Sequence, residues 1–212
     1  MTGVEIPGAA STAQGDPEVS PENVRPRRPL RRMSSTLRHA SHRDSGKPEF
    51  ETEAIAQGQV PSRRLLAVGR GPVPGDIATW LGVAAGETVM IRKRLQFLDG
   101  EPTVVSTSYF PLWVAGDTRL ESTEPLPEGP ANLIEQLGHE FASGVELIRA
   151  RMPMPDEARL LELGPGVPVV RLLHVDYDPQ DHPLQVADDI YASDRHEFAF
   201  EWAEPDGPVR HA

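Results

Sequence analysis

Two stretches of this 212-residue chain repeat one pattern at a fixed distance, and few folds can accommodate that. PGDIATWLGVAAGETVMIRKRLQFLDGEP (74–102) and PDEARLLELGPGVPVVRLLHVDYDPQDHP (155–183) both run helix, glycine-containing turn, strand, hairpin loop, proline. Ala78 and Leu81 fall on Ala158 and Leu161, Gly86 on Gly166, Val89 on Val169, Arg94 on His174 and Phe97 on Tyr177, at a constant spacing of 80. Pro102 meets Pro183 with one extra residue in the second loop. Two copies at so long a period do not make a solenoid. The pattern predicts an α+β domain: two pseudo-symmetric helix-plus-hairpin halves forming one antiparallel sheet flanked by short helices. A cleft between the halves is where a small ligand would sit.

The first hairpin is the sharper of the two. Two strand-like runs within residues 87–110 flank Leu98-Asp99-Gly100-Glu101, and Asp-Gly between such runs is a strong hairpin signal. In a strand, residues two apart project from one face, so Arg92, Arg94 and Gln96 share a face while Ile91, Lys93, Leu95 and Phe97 occupy the other. One side packs; the other offers guanidinium and amide donors. The same residues are also consistent with surface arginines on an edge strand.

Around this frame the chain predicts a helix over 50–57 ended by Gly58 and a strand over 62–68 that stops at the glycine-proline cluster of 69–75. A helix over 76–81 buries Ile77, Trp80 and Leu81 and is closed by Gly82. Residues 111–130, with four prolines and three glutamates, read as an irregular excursion. A short helix follows over 132–137, then strands over 143–152, 184–191 and 197–202.

Composition and charge set the boundaries. With 22 prolines and 18 glycines, part of the chain is not expected to pack. Residues 1–24 are small, polar and aperiodic and read as a disordered tail; 25–47 read as a basic Arg/Pro/Ser-rich linker; 48–204 form the domain; 205–212 are a flexible C-terminus. The linker carries seven arginines and a net +7, and the 165 residues after it a net −14. An acidic domain repels phosphate backbones, so nucleic-acid contact would fall to the basic stretch. No helix-turn-helix pattern is present in it. The absence of cysteine excludes disulfides and thiolate chemistry and agrees with a reducing cytosol. No apolar run reaches the roughly 20 residues a membrane span needs, and a soluble, cytoplasmic protein is expected. The histidines show no HxH or HExxH spacing, so neither a metal nor another cofactor is expected.

The order helix, Gly, strand, Asp-Gly-Glu-Pro, Ser-Tyr-Phe-Pro, followed by a second half ending in Tyr-x-x-x-Arg, resembles the UTRA domain. That domain is the effector-binding module of HutC-like GntR transcription regulators, and the resemblance runs from about Pro48 to Trp202. It implies a fold similar to chorismate lyase, a homodimer, a small-molecule metabolite effector, and DNA contact only through a winged helix-turn-helix domain. No such domain is legible in this sequence, so it is expected to be missing or supplied by a partner.

Family members that bind phosphorylated amino sugars align at the hairpin without gaps. The resemblance implies one anion-binding arginine at Arg94, with a second replaced by Gln96. The sugar-binding glutamate of the return strand becomes Ser106, and a further acidic residue becomes Gln185. A serine before the first helix becomes Glu49, and a serine and tyrosine at a helix N-terminus become Gly129 and Ala131, while Tyr191 is kept. Arg92, Ser108 and Asn132 complete the candidate set. Losing these charged and hydroxyl groups removes charge-assisted contacts to a phosphate, so a smaller anion or a neutral or cationic metabolite is expected. Two rival classes stand beside the sensor: a dimerisation partner of full-length regulators, and a lyase-like enzyme. The sequence carries no nucleophile elbow, cofactor fingerprint or paired acid and base, so no catalysis is expected.

Overall fold

The computed structural model describes residues 29–32 and 47–200. The expected tail, most of the basic linker, Trp202 and the C-terminal segment 205–212 lie outside the described residues. In chain order the elements are β1 (Leu30–Arg32), α1 (Glu49–Ala56), β2 (Pro61–Pro72), α2 (Gly75–Leu81), β3 (Thr88–Leu98) and β4 (Glu101–Phe110). Then come α3 (Leu112–Ala115), a 3-10 turn (Arg119–Glu121), α4 (Gly129–Gln136), β5 (Ser143–Arg151), α5 (Pro155–Leu160), β6 (Val169–Tyr177), β7 (Pro183–Ala192) and β8 (His196–Phe198).

Six strands form one antiparallel sheet in the order β2-β3-β4-β7-β6-β5. The order reads the same from either edge, as two equivalent halves require. Register carries the repeat further than the sequence does. Arg94 pairs with Ser106 and His174 with Ala187; Arg70 pairs with Met90 and Ala150 with Val170. The edge strands β2 and β5 are therefore counterparts too, although no residue pattern links them. At the centre Thr107 pairs with Asp188, its own counterpart at a spacing of 81, so the pseudo-twofold axis passes through that pair.

The β3–β4 turn forms as its sequence demands: Asp99 and Gly100 both take positive φ, 52° and 86°, the requirement of a tight primed turn that Asp-Gly meets at low cost. Three differences from the sequence expectation have local causes. β2 runs through Gly69 to Pro72 instead of stopping at the glycine cluster, because it is an edge strand, where proline is tolerated. The excursion 111–130 contains α3 and the 3-10 turn. α4 begins at Gly129, with Pro130 in its first turn, where a missing N–H costs nothing.

The two faces of the sheet are covered differently. α2 packs Ile77, Ala78 and Leu81 onto Val89, Tyr109, Leu173, Val175 and Val186. Leu161, at the end of α5, joins Leu95, Val105, Val169 and Ile190 on the same face. The opposite face carries two separate apolar clusters. One joins Met90, Phe110 and Leu184 to α3 and α4; the other joins Leu30, Phe50 and Ala54 to Leu98, Val104, Leu172 and Tyr191. Between them the sheet is polar. Leu30, placed by sequence in the linker, has no exposed surface, and β1 pairs in parallel with β8.

Candidate functional site

The polar stretch between the two clusters floors a cavity of about 130 Å³. β3 supplies Arg94 and Gln96, β4 Ser106 and Ser108, β6 His174 and Asp176, and β7 Gln185 and Asp189. α1 contributes Glu49 and Phe50 to the walls, with Pro48 just before it, α4 contributes Gly129 to Ala131 and Glu135, and Arg32 and Arg63 reach in from β1 and β2. The two helices meet closely: a Cβ on Gly129, whose φ is +79°, would lie 2.9 Å from the Pro48 ring. Glycine at 129 is thus what lets both helix starts close over one cavity.

Arg94 donates through Nη2 to Ser108 Oγ at 2.7 Å and Ser106 Oγ at 3.1 Å. Burial lowers its pKa to about 10; the Asp189 carboxylate opposes that shift, while the Arg63 and Arg92 charges add to it. The guanidinium remains charged at neutral pH. Asp189 is pushed up by burial, against a hydrogen bond from Ser106 and the charges of Arg32 and Arg94. Among the described residues, the buried Arg94 Nε and Asp189 Oδ1 have no hydrogen-bond partner.

The remaining charged groups of the cavity are engaged with one another. Arg63 lies 3.0 Å from Glu51 and donates to the Leu126 and Pro127 carbonyls. Arg32 donates to the Tyr191 hydroxyl, lies 3.5 Å from Glu53 and 3.9 Å from Glu49, and stacks its guanidinium over the Tyr191 ring at 4.9 Å. Tyr191 in turn donates to Asp189 Oδ2 at 3.3 Å. On the far side His174 sits between two carboxylates, with Nε2 2.7 Å from Asp176 and Nδ1 3.2 Å from Glu146. The Gln185 amide donates to the other Asp176 oxygen at 2.5 Å.

Of the nine candidates read from sequence, Glu49, Arg94, Gln96, Ser106, Ser108 and Gln185 line the cavity. The other three do not. Arg92 shares a strand face with Arg94, and β3 is internal to the sheet, yet its Nη1 donates at 2.6 Å to both the Leu120 and Ser122 carbonyls. It holds the 3-10 turn. Asn132 donates to the Glu128 carbonyl one turn back, at 2.9 Å. Tyr191 is fully buried beside the cavity, in the cluster with Leu30 and Phe50, and meets the cavity residues Arg32 and Asp189 through its hydroxyl. Sequence reading missed Arg32, Arg63, His174, Asp176 and Asp189. The repeat already places His174 opposite Arg94 and Asp176 opposite Gln96, a signal that could have found both.

Residues 56–197 match the family model of the UTRA domain. The chain belongs to the UTRA family. An uncharacterized HTH-type transcriptional regulator of Streptomyces coelicolor is 29% identical over 216 residues, spanning 99% of this chain and 78% of that regulator. The effector domain of PhnF from Mycobacterium smegmatis is 26% identical, with a TM-score of 0.65, covering 73% of this chain and 94% of that domain. A GntR-family regulator structure superposes with a TM-score of 0.71 at 23% identity, covering 85% of this chain and 72% of that one. This UTRA domain is thus homologous to effector domains of GntR-family transcription regulators and shares their six-stranded fold. Among the described residues no group of three or more His, Asp or Glu side chains could hold a metal, and no helix is long and apolar enough to cross a membrane.

Proposed function

We propose that this chain is a small-molecule effector sensor of a HutC-type GntR regulator, binding a metabolite in the cavity on the pseudo-twofold axis. It works as a cytoplasmic homodimer, and DNA is contacted through a winged-helix domain, whether carried by the same protein or by a partner. Glu49, Arg94, Gln96, Ser106, Ser108 and Gln185 contact the effector. The observation that carries this reading is the buried Arg94 guanidinium, fixed by two serine hydroxyls with its Nε aimed at no protein acceptor among the described residues. A buried charge left so is unfavourable unless something else solvates it. The cavity's imidazole, His174, directs its two ring nitrogens at Asp176 and Glu146 and not at a serine, which favours binding over catalysis.

Binding becomes regulation through the route from the cavity to β1. Effector contact at Asp189 or Glu49 acts on groups that Arg32 also engages, so occupancy and the docking of β1 are linked. Thermal-shift screening of a metabolite collection on wild-type and Arg94→Ala protein tests this reading. The expected result is saturable stabilisation of wild type by a compound recovered unchanged, with at least a tenfold weaker response in Arg94→Ala. Conversion of the compound would establish an enzyme instead, and an unchanged Arg94→Ala response would remove the cavity from the site.

A further inference from the structure

The charges lining the cavity can be paired off one by one. Arg63 is held by Glu51 and two carbonyls, Arg32 by Tyr191 and the α1 carboxylates, and Asp176 by His174 and Gln185. Glu49 lies beside Arg32, and Glu135 has its own internal partner. Two charges have no ion-pair partner among the described residues, of opposite sign and on the two strands that flank β4: Arg94 on β3 and Asp189 on β7, with Ser106 of β4 opposite both in register. Each presents one buried polar atom, a donor Nε and an acceptor Oδ1, to which no described residue bonds. No ion pair joins them; Arg94 spends its Nη2 on serine hydroxyls instead.

We infer that the effector is a small zwitterion of the α-amino-acid type, its carboxylate on Arg94 and its protonated amine on Asp189. This rests on the sensing role proposed above and specifies its ligand. A zwitterion neutralises both unpaired charges at once, whereas a ligand of one sign leaves the other charge buried and unpaired, the costly arrangement. Size agrees. A water occupies about 10–15 Å³ of such volume, so 130 Å³ accommodates a ligand of about ten non-hydrogen atoms. A dianionic phosphate meets only Arg94 as an uncommitted cation and faces the Asp189 carboxylate. At the α4 start that lines the cavity, Pro130 has no N–H to offer it. The apolar walls of Phe50, Phe141 and Leu172 receive the side chain of such a ligand.

The test is isothermal titration of the full chain with the standard L-amino acids. Each is compared with its des-amino carboxylic acid and its decarboxylated amine, and glucosamine 6-phosphate is included as a phosphosugar. At least one amino acid is expected to bind saturably, with both of its truncated analogues at least tenfold weaker. Asp189→Asn should bring the des-amino acid to within about threefold of the amino acid, and Arg94→Gln should do the same for the amine. These two near-isosteric variants, checked for an unchanged melting transition, separate lost recognition from lost folding. A carboxylate or an amine alone binding as tightly as the zwitterion overturns the inference, as does tighter binding of the phosphosugar; both leave the sensing role intact. No response to any amino acid also overturns it, and the broad metabolite screen then decides separately whether the cavity senses anything.

Discussion

The two halves of the sheet share backbone, register and apolar packing, yet at matched positions around the cavity they carry opposite chemistry. The first half presents Arg94, Gln96, Ser106 and Ser108; the second presents His174, Asp176, Ala187 and Asp189 at the same places. One side is built of donors and the other is dominated by acceptors. On the reverse face the counterparts stay alike, Leu81 with Leu161 and Val89 with Val169. The face that must exclude water has kept its symmetry, and the face with the cavity has lost it. A symmetric cleft would have no polarity across its axis; this one can orient a ligand that has two different ends.

The conserved geometry of the reverse face is the part most expensive to disturb. Leu81→Ala and Leu161→Ala remove buried side chains that are 2% and 0% exposed. Each should lower stability by about 2–5 kcal/mol in urea unfolding, by similar amounts if the halves are equivalent there. The asymmetric face can be inverted by moving one carboxylate to its counterpart. Ser108→Asp combined with Asp189→Ser places the acid against Arg94, whose Nη2 already lies 2.7 Å from the residue at 108. The guanidinium then acquires an internal partner. Effector affinity should fall at least a hundredfold by titration, while the effector-free melting temperature stays level or rises.

Among the described residues β8 has no counterpart in the first half, and it brings a pH response. His196 is buried against the Tyr191 ring at 4.8 Å, and its Nδ1 lies 3.2 Å from the Ala192 carbonyl. Its Nε2 has no partner among the described residues. Burial pushes its pKa down to about 3; the Ala192 hydrogen bond opposes this, and Arg32 and Arg195 reinforce it. The unfolded chain takes up this proton below about pH 6.5 and the folded one only near 3, so the contribution is complete above 6.5. It should decline by about 1.4 kcal/mol per pH unit as pH falls from 6.5 towards 3. Urea unfolding at pH 7, 6 and 5 reads it, and His196→Gln should remove one proton's worth of that slope. The smallest effect comes from making the halves more alike: Tyr191→Phe copies Phe110, its counterpart. The buried ring stays and only the hydroxyl between Arg32 and Asp189 is lost, so about 1 kcal/mol of stability should go.

Much of this architecture was legible because the repeat is a matter of local chemistry. Asp99-Gly100, the glycine stops and the two-residue alternation of β3 each specify their own conformation, and Arg94 with Gln96 could be placed on one face from spacing alone. What lay beyond reach depends on contacts between distant segments. Arg92 and Arg94 are indistinguishable in sequence, and only the 3-10 turn carbonyls, 28 and 30 residues away, decide that one is structural. Asp188 and Asp189 are neighbours pointing to opposite faces: the first pairs with Arg171 at 2.7 Å outside, and the second lines the cavity. Arg32 was hidden in a basic stretch whose composition signals a solvated linker, because three residues of strand are too few to show periodicity.

That short strand also dictates where the protein can be cut. Among the described residues the domain is assembled from two pieces of chain, residues 30–32 and the body that begins near 47, and the smaller piece fills a slot in the core with Leu30 while Arg32 forms part of the cavity wall. A fragment begun at residue 47 would keep every strand of the large sheet. It would nonetheless present α1 with its arginine partner removed and a Tyr191 hydroxyl facing an open groove. Affinities measured on such a fragment would belong to a different receptor, so ligand discovery on this protein has to start upstream of Leu30.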